Sequence, residues 1–274
     1  MQILKIAAFS TGDTGGNPAG VAICEALPPP EEMQRIAAEV GFSETAFAAR
    51  EGDKWRVRYF APASEVDFCG HATIALGAAL AAREGDGVFA LLLNGGEISV
   101  EAEAGPPIAA ALQSPPTSSR PAPPALLEAA LALFALAPDD LDPRIPPAIA
   151  NAGVDHLVLA LRTRARLAAM AYDFKAGRML MNANGLVTIS LVHAETPRLF
   201  HARNPFAAGG VHEDPATGAA AAALGGYLRD LAWPHGGEIE IRQGEDMGVP
   251  SRLVVGIGEE KGASVRVSGA ARVM

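Results

Sequence analysis

Two segments of very small side chains, each preceded by polar residues, constrain the fold of this chain most. They are "CGHATIALGAALAA", residues 69–82, and "DPATGAAAAALGG", residues 214–226. Both predict buried helices, because alanine and leucine favour helix and small side chains let neighbouring elements approach closely. Ala-Thr stands near the start of each segment, and the two segments lie about half a chain apart. This repetition indicates two related halves.

A stretch rich in proline and serine separates the two segments. It covers residues 105–124, "GPPIAAALQSPPTSSRPAPP", and such a composition is typical of a boundary between domains. We therefore predict an N-terminal half, residues 1–116, with Glu44 and the GHAT motif. The C-terminal half, residues 117–274, carries the DPATGAA motif, and its last strand is free to pack back on the first half.

The segments around the two small-residue helices predict strands and turns. "WRVRYF" alternates as a strand does, and Asn94-Gly95-Gly96 between two apolar runs predicts a hairpin. "PPPEEMQRIAAEVG" predicts a helix that begins near Pro30 and ends before Gly41. The chain therefore mixes helices with many strands.

Composition and charge exclude several classes of partner. Apolar residues make up 49% and charged residues 19% of 274 residues, which is typical of a globular chain. The net charge of −9 argues against nucleic acid as a partner. The most apolar window, residues 125–137, is too short to cross a membrane and contains Glu128. With only Cys24 and Cys69 and no signal-peptide core at the N-terminus, the chain is predicted to be cytoplasmic.

The starts of the two predicted helices favour an anion-binding site. A helix N-terminus presents unpaired amide N–H groups and roughly half a positive charge, so it binds carboxylates without a lysine. Ordinary buried core helices are the alternative, but the polar and titratable residues at both starts favour a site. A small carboxylate metabolite is the partner that this chemistry suits.

Five ordered motifs carry a resemblance to a known family: "GNPAGV", "GFSETAF", "YFAPASEVDFCGHATIALG", "HARNPFAAGGVHEDPATGAA" and "QGEDMGVPS". The chain resembles the phenazine biosynthesis PhzF-like family over nearly its whole length. The resemblance implies an α/β (α+β) fold of the diaminopimelate epimerase type. In that fold two similar halves each wrap a curved, mostly antiparallel sheet around a central helix. It also implies a homodimeric isomerase that moves a proton within a small carboxylic acid and needs no cofactor.

The resemblance assigns catalytic roles to three residues. It makes Glu44 the general base, His71 a partner of the substrate, and Asp214 an active-site aspartate. Each has a plainer alternative: a solvent-facing glutamate, a core histidine, and a helix N-cap with Pro215 at the first helical position. For Asp214, capping alone would account for the residue, and both roles can coexist.

The starts of the two helices supply the predicted substrate-binding residues, which are Gly70, Ala72, Thr73, Thr217, Gly218 and Ala219. One departure from the family pattern lies here, since Ala219 stands where the family often has serine. The missing hydroxyl removes one hydrogen-bond partner near the expected carboxylate. We therefore expect a different substrate.

Metal and thiol chemistry are disfavoured by the sequence. No second histidine or carboxylate stands beside His71 at the spacing of metal ligands, so no metal site is predicted. Cys69 resembles the first thiol of two-thiol epimerases, but Pro215-Ala216 occupies the place of the second. Cys69 is therefore interpreted as a small buried apolar residue.

Three alternatives stay open at this point. One is an epimerase or racemase of amino or hydroxy acids that uses Glu44 with Cys69 or His71. Another is a metabolite-binding protein without turnover, and a metal hydrolase is a poor third.

Overall fold

The computed structural model describes residues 1–274 and divides them into two compact units, residues 1–113 with 268–274 and residues 114–267. The predicted boundary after residue 116 lies close to the one after Gln113, and the last residues of the chain belong to the first unit. That the two halves are separate domains stays a prediction.

The strands, in chain order, are β1 Leu4–Ala8, β2 Asn17–Cys24, β3 Thr45–Glu51, β4 Lys54–Phe60, β5 Glu65–Val66, β6 Gly87–Leu92, β7 Glu97–Glu103, β8 Ile108–Gln113, β9 Ser118–Pro121, β10 Ala148–Asn151, β11 Asp155–Ala160, β12 Leu186–Thr196, β13 Leu199–Pro205, β14 Glu213–Asp214, β15 Glu238–Gln243, β16 Ser251–Gly256 and β17 Arg266–Val273. The helices are α1 Pro30–Val40, α2 Gly70–Glu84, α3 Pro124–Leu133, α4 Arg164–Ala168, α5 Phe174–Ala183 and α6 Gly218–Asp230. None of the helices has the length and apolar character needed to span a membrane.

The first unit is a closed barrel. Its strands pair in the order β1-β2-β3-β4-β6-β7-β8, and β17 pairs with both β1 and β8. Most of these pairs are antiparallel, whereas β2–β3 and β4–β6 are parallel. Because β17 closes the ring, this sheet has no free edge along its main strands.

Helix α2 lies inside this barrel. Every residue from His71 to Ala81 is buried, and the helix contacts β1, β2, β7 and β8. A Cβ atom on Gly77 would lie 2.6 Å from Val100 Cγ2, which is closer than van der Waals contact allows. The small side chains therefore let the strands pack directly against the helix backbone.

The second unit repeats this arrangement around α6. Its strands pair in the order β9-β10-β11-β12-β13-β15-β16, with parallel pairs at β11–β12 and β13–β15. Cβ atoms on Gly225 and Gly226 would lie 2.7 Å from Val255 Cγ1 and 2.4 Å from Thr117 Oγ1. In both units, then, a central helix of small residues is wrapped by a curved, mostly antiparallel sheet, as predicted.

The local predictions for the first half also agree with the structure. Helix α1 ends at Gly41, whose φ of 72° is left-handed and whose N–H bonds to Ala37 O. Strands β6 and β7 form the predicted hairpin, with Leu93 N bonded to Gly96 O at 2.8 Å. Glu44 lies between α1 and β3, directly before the first residue of β3.

Candidate active site

The backbone of Glu44 is fixed by the neighbouring strand β2. Gly20 N donates to Glu44 O at 3.1 Å, and Gly20 pairs with Thr45 in the parallel β2–β3 ladder. A Cβ atom on Gly20 would lie 2.7 Å from Thr45 Oγ1. The glycine of the "GNPAGV" motif thus allows the close approach that places Glu44 directly before the first residue of β3.

The side chain of Glu44 points to the start of α2. Glu44 Oε2 lies 3.4 Å from His71 Nε2, and the two side chains are only 12% and 7% exposed. Ser43 Oγ lies 3.3 Å from the same nitrogen, and Cys69 Sγ lies 3.3 Å from His71 Nδ1. We call these four residues, Ser43, Glu44, Cys69 and His71, the Glu44 cluster. A carboxylate, an imidazole and a thiol therefore meet in one partly buried place.

Residues beneath the start of α2 hold it in position. Thr73 Oγ1 donates to Cys69 O at 2.7 Å, so the phenol of Tyr59, 2.6 Å away, donates to Thr73 Oγ1. Burial raises the pKa of Tyr59, which keeps the phenol protonated as this bond requires. Thr73 is fully buried, and its amide also bonds to Cys69 O. The Thr73 hydroxyl therefore supports the start of α2, and its contact with a substrate stays a prediction.

The amides at the start of α2 remain suited to an anion. The first helical hydrogen bond runs from Thr73 N to Cys69 O at 3.0 Å, so the amides of Gly70, His71 and Ala72 have no carbonyl partner within the helix. The first turn contains no acidic residue, and Cys69 provides no side-chain cap. The helix start is thus positive and is not neutralised by its own sequence.

Two of the sequence interpretations are wrong at this place. Cys69 is half-buried and contacts His71, so it is not a small apolar core residue. Ligand-capable atoms of Glu44, Cys69 and His71 all lie within 4.8 Å of one another, so the argument against metal ligands beside His71 was wrong. Spacing along the chain missed this group because Glu44 reaches it from a different element.

A second cluster lies in the second unit and consists of Asp214, Thr217 and Gln243. Thr217 Oγ1 donates to Asp214 Oδ2 at 2.6 Å, and Thr217 N donates to Gln243 Oε1 at 3.1 Å. Gln243 Nε2 in turn donates to Asp214 O at 2.6 Å and lies 3.0 Å from Thr217 Oγ1. We call these three residues the Gln243 cluster. It joins the end of β14, the start of α6 and the end of β15.

The plainer alternative for Asp214, a helix N-cap followed by Pro215 at the first helical position, is wrong. Helix α6 begins at Gly218 after the N-cap residue Thr217. Asp214 belongs to strand β14, where it pairs with Asn204, so Pro215 lies outside the helix. Because strand pairing holds Asp214 in an extended conformation, its carboxylate accepts from the Thr217 hydroxyl and does not cap the helix.

Sequence reasoning did not single out Gln243, although its motif carried part of the resemblance. Gln243 is 1% exposed, and Gly244 follows it with a left-handed φ of 75°. A Cβ atom on Gly244 would lie 2.4 Å from Val249 O and 2.9 Å from Pro215 O. A glycine after a polar residue at a strand end is the signal that could have marked this close approach.

An ion pair fixes the strands that lead into Asp214. Arg203 Nη2 and Nε donate to the two carboxylate oxygens of Glu213 at 2.5 and 2.9 Å. Arg203 Nη1 also donates to Ala168 O and Met170 O. The hydrogen bond to Glu213, strengthened by its charge, raises the pKa of Arg203. This bidentate pair stabilises the geometry of β13 and β14.

The structure brings the predicted residues together in two groups. Glu44 lies with His71 and the start of α2, which contains Gly70 and Ala72. Asp214 lies with Thr217 at the start of α6, where Ala221 N bonds to Thr217 O and the amides of Gly218 and Ala219 have no carbonyl partner in the helix.

Comparison with known sequences identifies relatives along the whole chain. Residues 6–274 match the phenazine biosynthesis-like protein family. The trans-2,3-dihydro-3-hydroxyanthranilate isomerase of Pseudomonas aeruginosa is 34% identical over 97% of this chain and 93% of its own length. The enzyme of the same name from Pseudomonas fluorescens is 32% identical over 90% of this chain and 87% of its own.

Solved structures confirm the predicted fold. A phenazine biosynthesis protein of the PhzF family from Bacillus anthracis superimposes with a TM-score of 0.87 at 22% identity, over 100% of this chain and 98% of that one. A probable proline racemase from Agrobacterium radiobacter has a TM-score of 0.68 at 13% identity, over 99% and 90% of the two chains. The diaminopimelate epimerase-like α+β fold is therefore shown. On the sequence match, this chain belongs to the phenazine biosynthesis-like family and is an isomerase.

Proposed function

We propose that this isomerase moves a proton within a small carboxylic acid and that Glu44 carries the proton. The observation that carries the proposal is the contact between Glu44 and His71 at 3.4 Å, directly at the start of α2. A carboxylate that is largely removed from water and lies beside an anion-binding helix start has both parts that the reaction needs. No cofactor is required for such a transfer.

The reaction follows from the chemistry of these groups. The substrate carboxylate accepts hydrogen bonds from the amides of Gly70 and Ala72. Glu44 removes a proton from a carbon activated by conjugation, and the electron pair of the broken C–H bond delocalises into the conjugated system as an enolate. His71 stabilises the developing charge by a hydrogen bond. The proton on Glu44 exchanges with solvent, and Glu44 then delivers a proton to another carbon, which shifts the double bond and regenerates the carboxylate.

We propose binding roles for the predicted residues of the second unit. Asp214, held by the hydroxyl of Thr217 and by Gln243, orients polar groups of the substrate. The amides of Gly218 and Ala219 offer further donors for an anion. These residues act by positioning, since their cluster contains a single titratable side chain.

The substrate class is a small unsaturated or amino carboxylic acid. Two relatives are named for trans-2,3-dihydro-3-hydroxyanthranilate, which belongs to this class. Ala219 lacks the hydroxyl that the family often has at this position. We therefore propose that the natural substrate of this chain is a different acid of the same class.

Deuterium exchange tests the proposal. The protein is incubated in D₂O with a panel of unsaturated and amino carboxylates, and each product is scored by mass shift and by the position of its double bond. We expect a mass increase and a moved double bond for at least one acid with the wild-type protein and with Glu39→Gln, a control at an exposed glutamate of α1. Glu44→Gln should give neither. Equal exchange by Glu44→Gln would contradict the proposal.

An epimerase is the second candidate, and the position of Cys69 favours it. The thiol lies 3.3 Å from His71 Nδ1, so a second acid–base group stands beside Glu44 and His71. Two such groups are what removal and return of a proton on opposite faces of one carbon require. Deuterium wash-in with inversion at the α-carbon and no moved double bond would favour this candidate.

We also propose that the protein is a cytoplasmic homodimer that binds no nucleic acid. Both cysteines are free, which suits a reducing compartment, and the net charge is −9. Light scattering on the purified chain should give twice the monomer mass. A monomer mass across the accessible concentration range would contradict the dimer.

A further inference from the structure

We infer that Glu44, Cys69 and His71 also form a binding site for a soft divalent cation such as Zn²⁺, and that the bound ion blocks the isomerase. The binding part stands on the geometry of the cluster alone. The inhibitory part rests on the proposed function, because it assumes that Glu44 and His71 contact the substrate.

The donor set is the first support. Zn²⁺ in proteins is bound by thiolate, imidazole and carboxylate groups, and one of each is present here. One ligand atom from each residue lies within 4.8 Å of the other two. Ligand atoms in a tetrahedral zinc site are about 3.5 Å apart, given bonds of about 2.0–2.3 Å. Side-chain rotations that move the ligand atoms by about 1 Å would therefore bring them to metal-binding distance.

These rotations start from contacts that the three side chains already make. His71 is anchored in α2, whereas Cys69 is half-buried and the Glu44 side chain is 12% exposed. A metal ion uses one of the two imidazole nitrogens. Cys69 Sγ lies 3.3 Å from Nδ1, and Glu44 Oε2 and Ser43 Oγ lie 3.4 and 3.3 Å from Nε2. Since the three ligand atoms lie within 4.8 Å of one another, rotation of the Cys69 or Glu44 side chain would bring the thiol and the carboxylate beside the same nitrogen.

Charge balance favours a divalent ion over a monovalent one. A thiolate and a carboxylate supply two negative charges against the two positive charges of Zn²⁺. The ion-pair partner of Glu44 is His71, which binds metal in its neutral form, and not a lysine or arginine that would repel the ion. Three protein ligands also leave a fourth position open for water or a substrate carboxylate.

The expected consequence is inhibition. A carboxylate and an imidazole bound to a metal ion cannot carry a proton to and from carbon. The ion would thus occupy the groups that the proposed reaction uses, and substrate and metal would compete.

Direct metal binding provides the test. Zn²⁺ affinity is measured without substrate by competition with a chromogenic chelator, and Cd²⁺ is added separately to observe the ultraviolet charge-transfer band of a cadmium thiolate. We expect one site per chain, and at least about a tenfold loss of affinity in Cys69→Ser and in His71→Asn. The cadmium band should disappear in Cys69→Ser.

Cys24→Ser is the matched control. Cys24 ends β2 in the same unit, and burial raises the pKa of its thiol, which disfavours the thiolate that binds metal. This variant should keep the affinity, the cadmium band and the inhibition. Circular dichroism checks that Cys69→Ser folds, and Glu44→Gln, with both softer ligands intact, gives an independent loss of affinity.

Several outcomes would overturn the inference. An affinity that is unchanged in Cys69→Ser and His71→Asn would place the ion elsewhere, and no binding by the wild type would exclude the site. Zn²⁺ that binds at the cluster but leaves deuterium exchange unchanged would overturn the inhibitory part. Metal binding is measured without substrate, so its result remains valid even if the protein does not catalyse the proposed isomerase reaction.

Discussion

The starts of α2 and α6 differ in how tightly their polar groups are bonded. In the Glu44 cluster the side-chain contacts of His71 are 3.3, 3.3 and 3.4 Å long. In the Gln243 cluster the contacts of Thr217 and Gln243 are between 2.6 and 3.1 Å. Ordinary protein hydrogen bonds lie at about 2.7–3.2 Å. The two oxygen contacts of His71 are therefore longer than an ordinary hydrogen bond, whereas the contacts of the Gln243 cluster lie within the ordinary range.

The two clusters also differ in the groups they contain. Glu44, Cys69 and His71 all gain and lose protons, but Asp214 is the only such side chain in the Gln243 cluster. Both helices begin without a side-chain cap and without an acidic residue in the first turn. The same kind of uncapped helix start thus lies beside three titratable side chains in one unit and beside a single one in the other.

The largest expected effect separates chemistry from binding. Glu44→Gln keeps the shape of the side chain but removes its basicity, so turnover should fall by about 10²–10⁴-fold while KM stays within a few-fold. Steady-state kinetics on a substrate found in the D₂O panel provide the measurement. Glu39→Gln should match the wild type, and full turnover by Glu44→Gln would show that Glu44 does not carry the proton.

The next effect separates the pH dependence of folding stability, which we assign to His156, from the pH dependence of turnover. Burial lowers the pKa of His156 to about 4 from 6.5. The folded state therefore excludes a proton that the unfolded chain binds, and stability should fall as pH drops from about 6.5 to about 4, by up to about 3 kcal/mol. Above this window both states are neutral at His156, so no effect is expected there.

Urea unfolding at several pH values provides the measurement. His156→Asn should flatten the pH dependence in this window, whatever its absolute stability. Parallel pH curves for the two proteins would contradict the assignment. The pH profile of turnover should be unaffected by this variant where both proteins are folded.

A smaller effect tests whether the Gln243 cluster is structural. Gln243→Leu leaves Thr217 N and Asp214 O without their partners, which should cost about 1–3 kcal/mol of unfolding free energy. Gln113→Leu, at an exposed position at the end of β8, is the matched control. Chemical denaturation measures the unfolding free energy of both variants. Equal values would show that the hydrogen bonds of the Gln243 cluster do not stabilise the fold.

The smallest effect concerns specificity. Ala219→Ser adds a hydroxyl at the start of α6 and should raise the affinity for trans-2,3-dihydro-3-hydroxyanthranilate by about 2–10-fold, the value of one hydrogen bond. Ala82→Ser, on the exposed end of α2, should change nothing. Isothermal titration measures both affinities, and an unchanged affinity in Ala219→Ser would show that the missing hydroxyl does not set specificity.

Local sequence signals predicted much of the fold. Gly41 marked the end of α1, and the Asn94-Gly95-Gly96 turn marked the β6–β7 hairpin, because both depend on backbone conformations that glycine adopts without strain. The small residues of α2 and α6 marked buried helices. These features are decided within a few residues, so one sequence is enough to read them.

The features that the sequence did not predict correctly share a physical cause. Asp214-Pro215 matches a helix start locally, but pairing with Asn204 keeps Asp214 in a strand. Gln243, at the end of β15, bonds to Thr217 at the start of α6, and Glu44, directly before β3, lies beside Cys69 and His71 at the start of α2. Each of these contacts is set by tertiary packing between distant segments, which periodicity and spacing do not report.

Single-turnover deuterium incorporation, compared in Glu44→Gln and Thr217→Val, distinguishes the proposed proton carrier from a proposed binding residue. We expect Glu44→Gln to bind the substrate but to incorporate no deuterium. Thr217→Val should bind more weakly yet still label each molecule it converts. Labelling by Glu44→Gln at the wild-type rate, or full binding without labelling by Thr217→Val, would show that the two residues do not have these roles.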